Sequence, residues 1–393
     1  MKTFRIKEIC HLEKGKQIDT TLLNDCNPYK YINGGIKESG YYSAYNTEGE
    51  AVLVSEGGAS CGYVNYINEK FWCGCHCYKL TKCKFLPKYI YYALKGNQEK
   101  LMALRTGAAM PNIKKTTFQD MELCLNENPA EQEMVIKELD KIQIALDIKE
   151  TELIALDDLV KSRFIEMFGY VDKVDSQYKI CKLNDVADVG SSHRVFTTEF
   201  VEKGIPFYRG TEIGELANGK KPANPYYISE QHYHKLASDS TKPKIGDLLM
   251  PSICSKGQVW MVDTNEPFYY KDGRVLCVSP NLSVFNPQYL LHFMRFKTEI
   301  EYQKLDTGPT FSEFKIFIIK DFDIIVPPMH IQNKFAEFVK LIDKSKFVCQ
   351  TNPNIFCEKS LHFRHLPSHI QGLCLFLRAL KDVELVLSAY LYL

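Results

Sequence analysis

The chain carries the same landmarks twice, about 200 residues apart. Tyr89 and Tyr289 lie in similar segments, each with a proline two residues earlier. Gln132 and Gln332 follow at the same separation, and a helical pattern begins after each glutamine. This period is too long for a solenoid repeat and matches a whole domain plus a connector. Two similar domains on one chain indicate that two similar half-sites are recognised on one ligand.

The clearest helical pattern lies between Pro129 and Gly169, where no glycine or proline interrupts residues 130–168. Apolar residues recur there in alternating steps of four and three, a heptad pattern typical of a coiled-coil seam. Pro129 suits a first helical turn, and Gly169 suits a C-terminal cap. Such a helix is about 50–60 Å long. We therefore expect it to separate two domains or to pair with a partner helix.

The second copy of this helix starts in the same register, but its pattern stops after Lys346, and Pro353 then breaks it. We predict a shortened second helix and interpret the tail as foreign sequence from a frameshift or recombination. A small accessory helix near the C-terminus is the alternative. The seam residues that we predict to bind partners are Val135, Leu139, Ile142, Leu146, Leu153, Leu156, Val160, Phe335, Val339 and Ile342.

Outside the helices, short β-branched and aromatic runs alternate with glycine turns. Ala51–Val54 and Tyr63–Ile67 are predicted strands, and Pro87–Lys95 is a predicted short helix. The predicted fold class is α+β, with two mixed, mostly β domains joined by long coiled-coil helices. The predicted boundaries are 1–128 for the first domain, 129–169 for the long helix, 170–328 for the second domain, 329–348 for the shortened helix and 349–393 for the tail.

The formal net charge of +1 hides an uneven distribution. Residues 127–166 hold eleven acidic and five basic side chains, a net charge of −6, so the rest of the chain carries +7. Basic domains on an acidic connector are typical of domains that bind phosphate on a spacer that does not.

The chain opens without a basic segment followed by an apolar run, and no stretch of about 18 apolar residues occurs. These features predict a cytoplasmic protein without a membrane segment, whose 14 cysteines are reduced thiols. Cys73, Cys75, His76 and Cys77 could hold zinc, which leaves a zinc enzyme as a weak alternative. Their Cys-x-Cys spacing instead favours a buried strand over 72–80, so we expect no metal and no cofactor.

Motifs for catalysis are incomplete. Lys221 stands where a phosphate-binding loop needs a hydroxyl residue, and the segments beginning at Asn27 and Asn224 lack the second proline of an adenine-methylating loop. No Gly-x-Ser-x-Gly nucleophile elbow occurs. The sequence therefore favours a recognition protein over an enzyme.

The order and duplication of several motifs resemble the specificity subunit of type I restriction–modification systems across residues 1–348. Each motif is weak alone, and their duplication makes the match specific. The motifs are residues 31–35, 55–62, 86–89, 107–113, 129–132 and 164–169 in the first half, and residues 205–210, 244–249 and 308–311 in the second.

This resemblance implies two target recognition domains, each of which reads one half of a split site in double-stranded DNA. The long helices would fix the unread gap and dock methyltransferase subunits, two in the family, with restriction subunits joining through the complex. Methylation and cleavage would belong to those partners, so no catalytic residue is expected here. Candidate DNA-binding residues are Lys14, Lys16, Asn33, Lys37, Arg105, Asn112, Lys114 and Lys115 in the first domain and Arg194, Arg209, Lys256, Arg274 and Lys315 in the second.

Two alternatives stay open at this stage. The shortened second helix departs from the family and predicts impaired assembly, or an inactivated remnant of a specificity subunit. A coiled-coil scaffold or adaptor with two β-rich binding domains is the competing class, and the basic domains beside an acidic helix favour DNA over it.

Overall fold

The computed structural model describes residues 1–107, 110–173, 177–237, 241–305 and 312–351. Among these residues, no helix combines the length and apolar character needed to cross a membrane. The chain divides into two compact units: unit 1 covers Met1–Thr151 and unit 2 covers Glu152–Cys349.

Unit 1 is a β-rich unit closed by short helices. Its strands are β1 (Lys2–Arg5), β2 (His11–Lys14), β3 (Tyr29–Ile32), β4 (Tyr41–Tyr42), β5 (Ala51–Ser55), β6 (Val64–Ile67), β7 (Phe71–Cys73), β8 (Cys77–Thr81) and β9 (Glu122–Leu125). Its helices are α1 (Ile6–Ile9), α2 (Pro87–Gly96), α3 (Gln98–Ala103), α4 (Lys115–Gln119) and the start of α5 (Pro129–Phe168).

Unit 2 has the same kinds of element, after the end of α5. Its strands are β10 (Lys179–Lys182), β11 (Ala187–Gly190), β12 (Phe200–Val201), β13 (Ile205–Tyr208), β14 (Tyr226–Ile228), β15 (Leu248–Pro251), β16 (Trp260–Met261), β17 (Tyr269–Tyr270), β18 (Val275–Pro280) and β19 (Asp323–Val326). Its helices are α6 (Gly210–Ala217), α7 (Glu230–Leu236), α8 (Pro287–Gln303), α9 (Ile316–Lys320) and α10 (Met329–Thr351).

The two units share most of their sheet topology, and unit 2 has one additional strand, β12, in the sheet that contains β13. The order β2-β8-β5-β6 in unit 1 corresponds to β11-β18-β15-β16 in unit 2. The parallel pair β3–β7 corresponds to the parallel pair β13–β17. The antiparallel ribbon β1–β9 corresponds to β10–β19. The repetition seen in the sequence is thus a repetition of architecture.

The repeated tyrosines hold equivalent positions in this architecture. Tyr89 in α2 and Tyr289 in α8 are both buried, and each hydroxyl bonds the backbone at the end of the ribbon. The Tyr89 hydroxyl accepts from the N–H of Asn126 (3.1 Å), and the Tyr289 hydroxyl donates to the carbonyl of Ile325 (2.8 Å). A buried tyrosine needs such a partner for its hydroxyl, which explains why this residue marks both copies.

Helix α5 begins at Pro129 and ends at Phe168, as the sequence predicts. Gly169 follows with φ +82 and donates its N–H to the carbonyl of Ile165 (2.8 Å), the left-handed C-terminal cap that glycine favours. The first part of the helix packs in unit 1, where Leu139 and Ile142 are buried against Tyr92 of α2.

The last part of α5 packs in unit 2 against α8 and α10. Phe164 is fully buried, and its ring lies 5.8 Å from that of Tyr289 and 5.4 Å from that of Phe335. Lys346 of α10 bonds Asp157 of α5 at 2.5 Å. The predicted α+β class, with two β-rich units and long helices that pack together, is confirmed.

The prediction of one buried strand over 72–80 is wrong. β7 and β8 belong to different sheets, and the chain turns between them at Cys75 and His76, directly after Gly74. A Cβ at Gly74 would lie 2.2 Å from the side-chain oxygen of Asn33, so only glycine permits this close approach. Cys73 and Cys77 are nevertheless buried as small apolar side chains.

The second long helix continues three residues beyond its predicted end at 348, because α10 runs to Thr351. The tail after that residue, the segment 307–311 and Ala108 and Ala109 lie outside the described residues. The other domain boundaries stay predictions.

Candidate nucleic-acid interface

Three loops meet at the same place in each unit. In unit 1 the N–H of Glu56 donates to the carbonyl of His76 (2.9 Å), and the carbonyl of Glu56 accepts from Ile113 (2.9 Å). In unit 2 Ser252 makes the same two backbone bonds with Arg274 (2.9 Å) and Phe314 (2.8 Å). These bonds fix the loop after β5 or β15 to the loop before β8 or β18, so each unit presents a rigid cluster of loops.

In unit 2 these loops border a groove of about 690 Å³. Its floor is formed by α6 and by the segment after β15. Four cationic residues line it, against a single carboxylate from Glu215; the cations are Arg209, Lys220, Lys271 and Arg274. The excess of positive charge suits a polyanion such as a nucleic-acid backbone.

Arg209 is the most constrained of these cations. It follows β13 and precedes α6, and its Nε and Nη2 donate to the two carboxylate oxygens of Glu212 at 3.1 and 2.5 Å. Its guanidinium lies 4.5 Å from the ring centre of Tyr226. The Glu212 carboxylate raises the pKa of Arg209. Burial acts to raise the pKa of Glu212, but the hydrogen bonds from Arg209 outweigh it and hold that pKa below its usual value.

Arg274 and Lys315 share one carboxylate. Arg274 forms an ion pair with Glu313, whose other oxygen accepts from the ammonium of Lys315 at 3.0 Å. Three predicted residues of unit 2, Arg209, Arg274 and Lys315, therefore gather at or beside the groove.

The other two predicted residues of unit 2 lie apart from the lining of this groove. Lys256 lines a neighbouring cavity of about 280 Å³ that shares Asn218 and Gln258 with the groove. Arg194 is exposed, and its guanidinium lies 5.2 Å from the ring centre of Phe196.

The corresponding cluster in unit 1 has different chemistry. Asn33 follows β3, as Arg209 follows β13, and its amide nitrogen donates to Gln17 (3.2 Å) while its oxygen accepts from the N–H of His76 (3.2 Å). Lys14 pairs with Glu56 at 2.6 Å. The loop cluster of unit 1 is thus organised by amides where that of unit 2 uses arginines.

The remaining predicted residues of unit 1 are spread around this cluster. The backbone of Asn112 bonds that of Thr106 in both directions, at 2.8 and 2.9 Å. The Nε of Arg105 is buried without a hydrogen-bond partner among the described residues. Four lysines have exposed side chains: Lys16, Lys37, Lys114 and Lys115.

Sequence reasoning missed five residues of the two clusters. Gln17, His76, Lys220, Lys271 and Glu212 were not predicted as site residues. Lys271 precedes an Asp-Gly turn that ends in Arg274, and this pairing of a turn with flanking cations is the signal that could have found it. Gln17, His76 and Lys220 carry no sequence signal of their own, because the folded chain brings them to the clusters. Glu212 lies three residues after Arg209, and its pairing depends on where α6 begins.

Comparison with known proteins agrees with this architecture. The family described as "Type I restriction modification DNA specificity domain" matches residues 1–157. Putative type I specificity subunits of Mycoplasma genitalium and Mycoplasma pneumoniae are both 26% identical, over 59% and 57% of this chain. Residues 1–157 of this chain therefore belong to the family of type I restriction modification DNA specificity domains.

The sequence alignments cover only part of each relative's length. Each aligned region spans 66% of the curated relative, slightly less than two thirds of its length. The crystal structure of a type I restriction–modification S subunit from M. genitalium has a TM-score of 0.52 at 19% identity, and the comparison covers 97% of this chain and 95% of that chain. The structural likeness supports the shared fold.

The predicted partner-binding residues of this chain pack largely within its own units. Leu139 and Ile142 lie against α2, with Val135 and Leu146 packed beside them. The core of unit 2 buries or borders a further set: Leu156, Val160, Phe335, Val339 and Ile342. Leu153 is partly exposed. The heptad stripe therefore faces this chain's own helices over most of its length.

The thiols of the cysteine cluster in unit 1 form hydrogen bonds. The Cys75 thiol donates to the side chain of Gln17 (3.1 Å), and the Cys77 thiol donates to the carbonyl of Ile32 (3.6 Å). Within the described ranges, no group of three or more metal-ligating side chains is placed to hold an ion.

Proposed function

We propose that this chain is the specificity subunit of a type I restriction–modification complex, that it recognises double-stranded DNA, and that each unit reads one half of a bipartite site. The observation that carries the proposal is the duplicated loop cluster, which in unit 2 borders a cationic groove. Methylation and cleavage belong to partner subunits, since the family supplies sequence specificity and no catalysis.

The difference between the two clusters supports a bipartite site. The same frame carries Arg209 and Arg274 in unit 2 but Asn33 and His76 at the corresponding positions in unit 1. Arginine and asparagine side chains pair with different base edges in the major groove. Two units with one architecture and different loop chemistry are what recognition of two unlike half-sites requires.

We further propose that methyltransferase subunits, two per complex, dock on the long helices, with restriction subunits joining through them. Exposed apolar side chains on both helices support this: Ile144 and Ile148 on α5 are 58% and 54% exposed, and Leu341 on α10 is 62% exposed. Such residues on a surface helix favour a protein partner.

The test is to co-express the chain with its neighbouring methyltransferase subunit and to map adenine methylation across the host genome. A split motif with a fixed gap is the expected result. A split motif that appears only after the second helix is rebuilt from the first would identify an inactivated remnant. Methylation in neither case would contradict the proposal and favour the scaffold.

A further inference from the structure

Arg209 is held at the groove of unit 2 with part of its hydrogen-bonding capacity unused. An arginine has five N–H donors. Glu212 takes Nε–H and one hydrogen of Nη2, and the Glu212 carboxylate also accepts from the Arg209 backbone N–H at 2.8 Å. Among the residues that the structure describes, no acceptor takes the two Nη1 hydrogens or the second Nη2 hydrogen, which form the outer end of the guanidinium fork.

Glu212 and Tyr226 support this fork from two sides. The side chain of Glu212 is only 5% exposed and lies in the first turn of α6, and Tyr226 packs against the guanidinium face. The arginine side chain remains 35% exposed. A side chain held in one orientation at a groove is suited to directional readout, because little freedom is lost when it binds.

The neighbouring lysines differ in this respect. Lys220 and Lys271 line the groove, are exposed, and have no ion-pair partner among the described residues. A lysine ammonium is a compact charge on a flexible stem, which suits contact with phosphates without sequence information. The groove therefore combines the Arg209 fork, which Glu212 holds, with lysine charges on flexible stems.

We propose that Arg209 reads a guanine in the half-site of unit 2, with Glu212 and Tyr226 as positioning residues. The parallel donors of an arginine fork match the O6 and N7 acceptors that only guanine presents side by side in the major groove. This inference rests on the proposed DNA recognition and specifies its chemistry in one unit. Asn33 stands at the corresponding position of unit 1, so the two half-sites depend on different residues.

The first experiment selects duplexes from a randomised pool with the full-length chain. The wild type is expected to enrich a motif that contains an invariant guanine. Arg209→Lys keeps the charge but removes the fork, and is expected to lower the preference for that one guanine about tenfold or more while the other half-site is unchanged. Glu212→Gln is expected to relax the same position. Lys271→Ala is the control and should weaken binding to all sequences without changing the motif.

A second experiment needs no variant and therefore no assumption about folding. Each guanine of the enriched motif is replaced in turn by 7-deazaguanine, which lacks the N7 acceptor. Wild-type affinity is expected to fall about tenfold or more at the guanine that Arg209→Lys relaxes.

Two results would overturn the proposal that Arg209 reads a guanine. A third result would contradict the proposed DNA recognition as well. An unchanged motif for Arg209→Lys, with uniformly weaker binding, would make Arg209 a phosphate contact. Affinity that is insensitive to 7-deazaguanine at every position would also reject guanine readout. A wild type that enriches no motif would contradict DNA recognition itself, and the inference with it.

Discussion

Gln132 and Gln332, 200 residues apart, form the same pair of hydrogen bonds in their respective units. Each side-chain oxygen accepts the N–H of the residue that precedes a repeated helix, Leu86 before α2 (3.1 Å) and Asn286 before α8 (2.8 Å). Each side-chain nitrogen donates to the carbonyl of a residue shortly before α5 or α10, at 2.9 Å for Gln132 and 2.8 Å for Gln332. Both glutamines are almost fully buried. In unit 1, Gln132 therefore connects the end of β9 and the start of α5 to the start of α2. In unit 2, Gln332 connects the end of β19 and the start of α10 to the start of α8.

We expect Gln332→Ala to lower the free energy of unfolding of the chain by about 2–4 kcal/mol, because it leaves buried backbone groups of Asn286 and Pro327 without their partner. Denaturant unfolding followed by circular dichroism measures this. Gln231→Ala, at an exposed position of α7, should change stability by less than about 0.5 kcal/mol. Equal effects of the two substitutions would show that the Gln332 bonds contribute little.

The burial of His292 predicts a dependence of stability on pH. Burial lowers the pKa of His292 to about 3, and the charges of Arg295 and Lys346 act in the same direction. The unfolded chain, with a histidine pKa near 6.5, then binds this proton at a pH where the folded chain does not. Stability should therefore be complete above about pH 6.5 and fall as the pH drops toward 3, by up to about 1.4 kcal/mol per pH unit.

The measurement is denaturant unfolding of the wild type and of His292→Gln between pH 7 and pH 4. The slope of unfolding free energy against pH should be smaller in His292→Gln, whatever its absolute stability. His330→Gln is the matched control at an exposed position of α10 and should keep the wild-type slope. Parallel slopes for His292→Gln and the wild type would contradict the prediction.

The mobile lysines of the groove predict a change in salt dependence. If Lys271 contacts one phosphate, Lys271→Ala should reduce the slope of log K against log salt by about 0.9 for duplex DNA. Fluorescence anisotropy over a series of salt concentrations measures the slope. Lys340→Ala removes an exposed charge from α10, outside the groove lining, and should leave it unchanged. A reduction that is the same for both variants would mean that the groove is not where the phosphates lie.

Docking of the methyltransferase predicts sensitivity on the exposed face of α5. Ile144 and Ile148 are one helical turn apart, so replacing both by aspartate places two charges on the proposed contact. Co-purification with the methyltransferase subunit should fall at least tenfold. Thr151→Asp, an exposed residue of the same helix, serves as the control. Undiminished co-purification of the double variant would place the dock elsewhere.

The frame was largely predictable from the sequence because its determinants are local. Pro129 favours the first turn of α5, and Gly169 favours its C-terminal cap, because of the backbone conformations that these two residue types adopt. Pro87 and Pro287 begin α2 and α8 for the same reason as Pro129. The heptad stripe also identified a buried helix face. A stripe does not specify which element covers it, however, and α2 covers Ile142 where a partner helix was expected.

The candidate site was less predictable because it depends on pairings across the sheet. Glu313 lies 39 residues from Arg274, and only the folded loops bring them together. The turn between Cys73 and Cys77 escaped notice because alternating apolar residues suggest one strand regardless of where the chain reverses. Glu212 is close to Arg209 in sequence, but their pairing follows from the start of α6 at Gly210, a boundary that propensity alone does not locate.

The two units share their tyrosine and glutamine bonds but differ in their loop residues. Because these are different residues, the two sets can change independently over generations. Substitutions at Asn33 or Arg209 remove none of the bonds that Tyr89, Tyr289, Gln132 and Gln332 form, so the proposed DNA-reading residues can change while these bonds are kept. The residues that stabilise the fold and the residues proposed to determine the preferred DNA sequence are then encoded by different codons. Under the proposed recognition, sequence preference can then change over generations while the bonds that hold the repeated frame are kept.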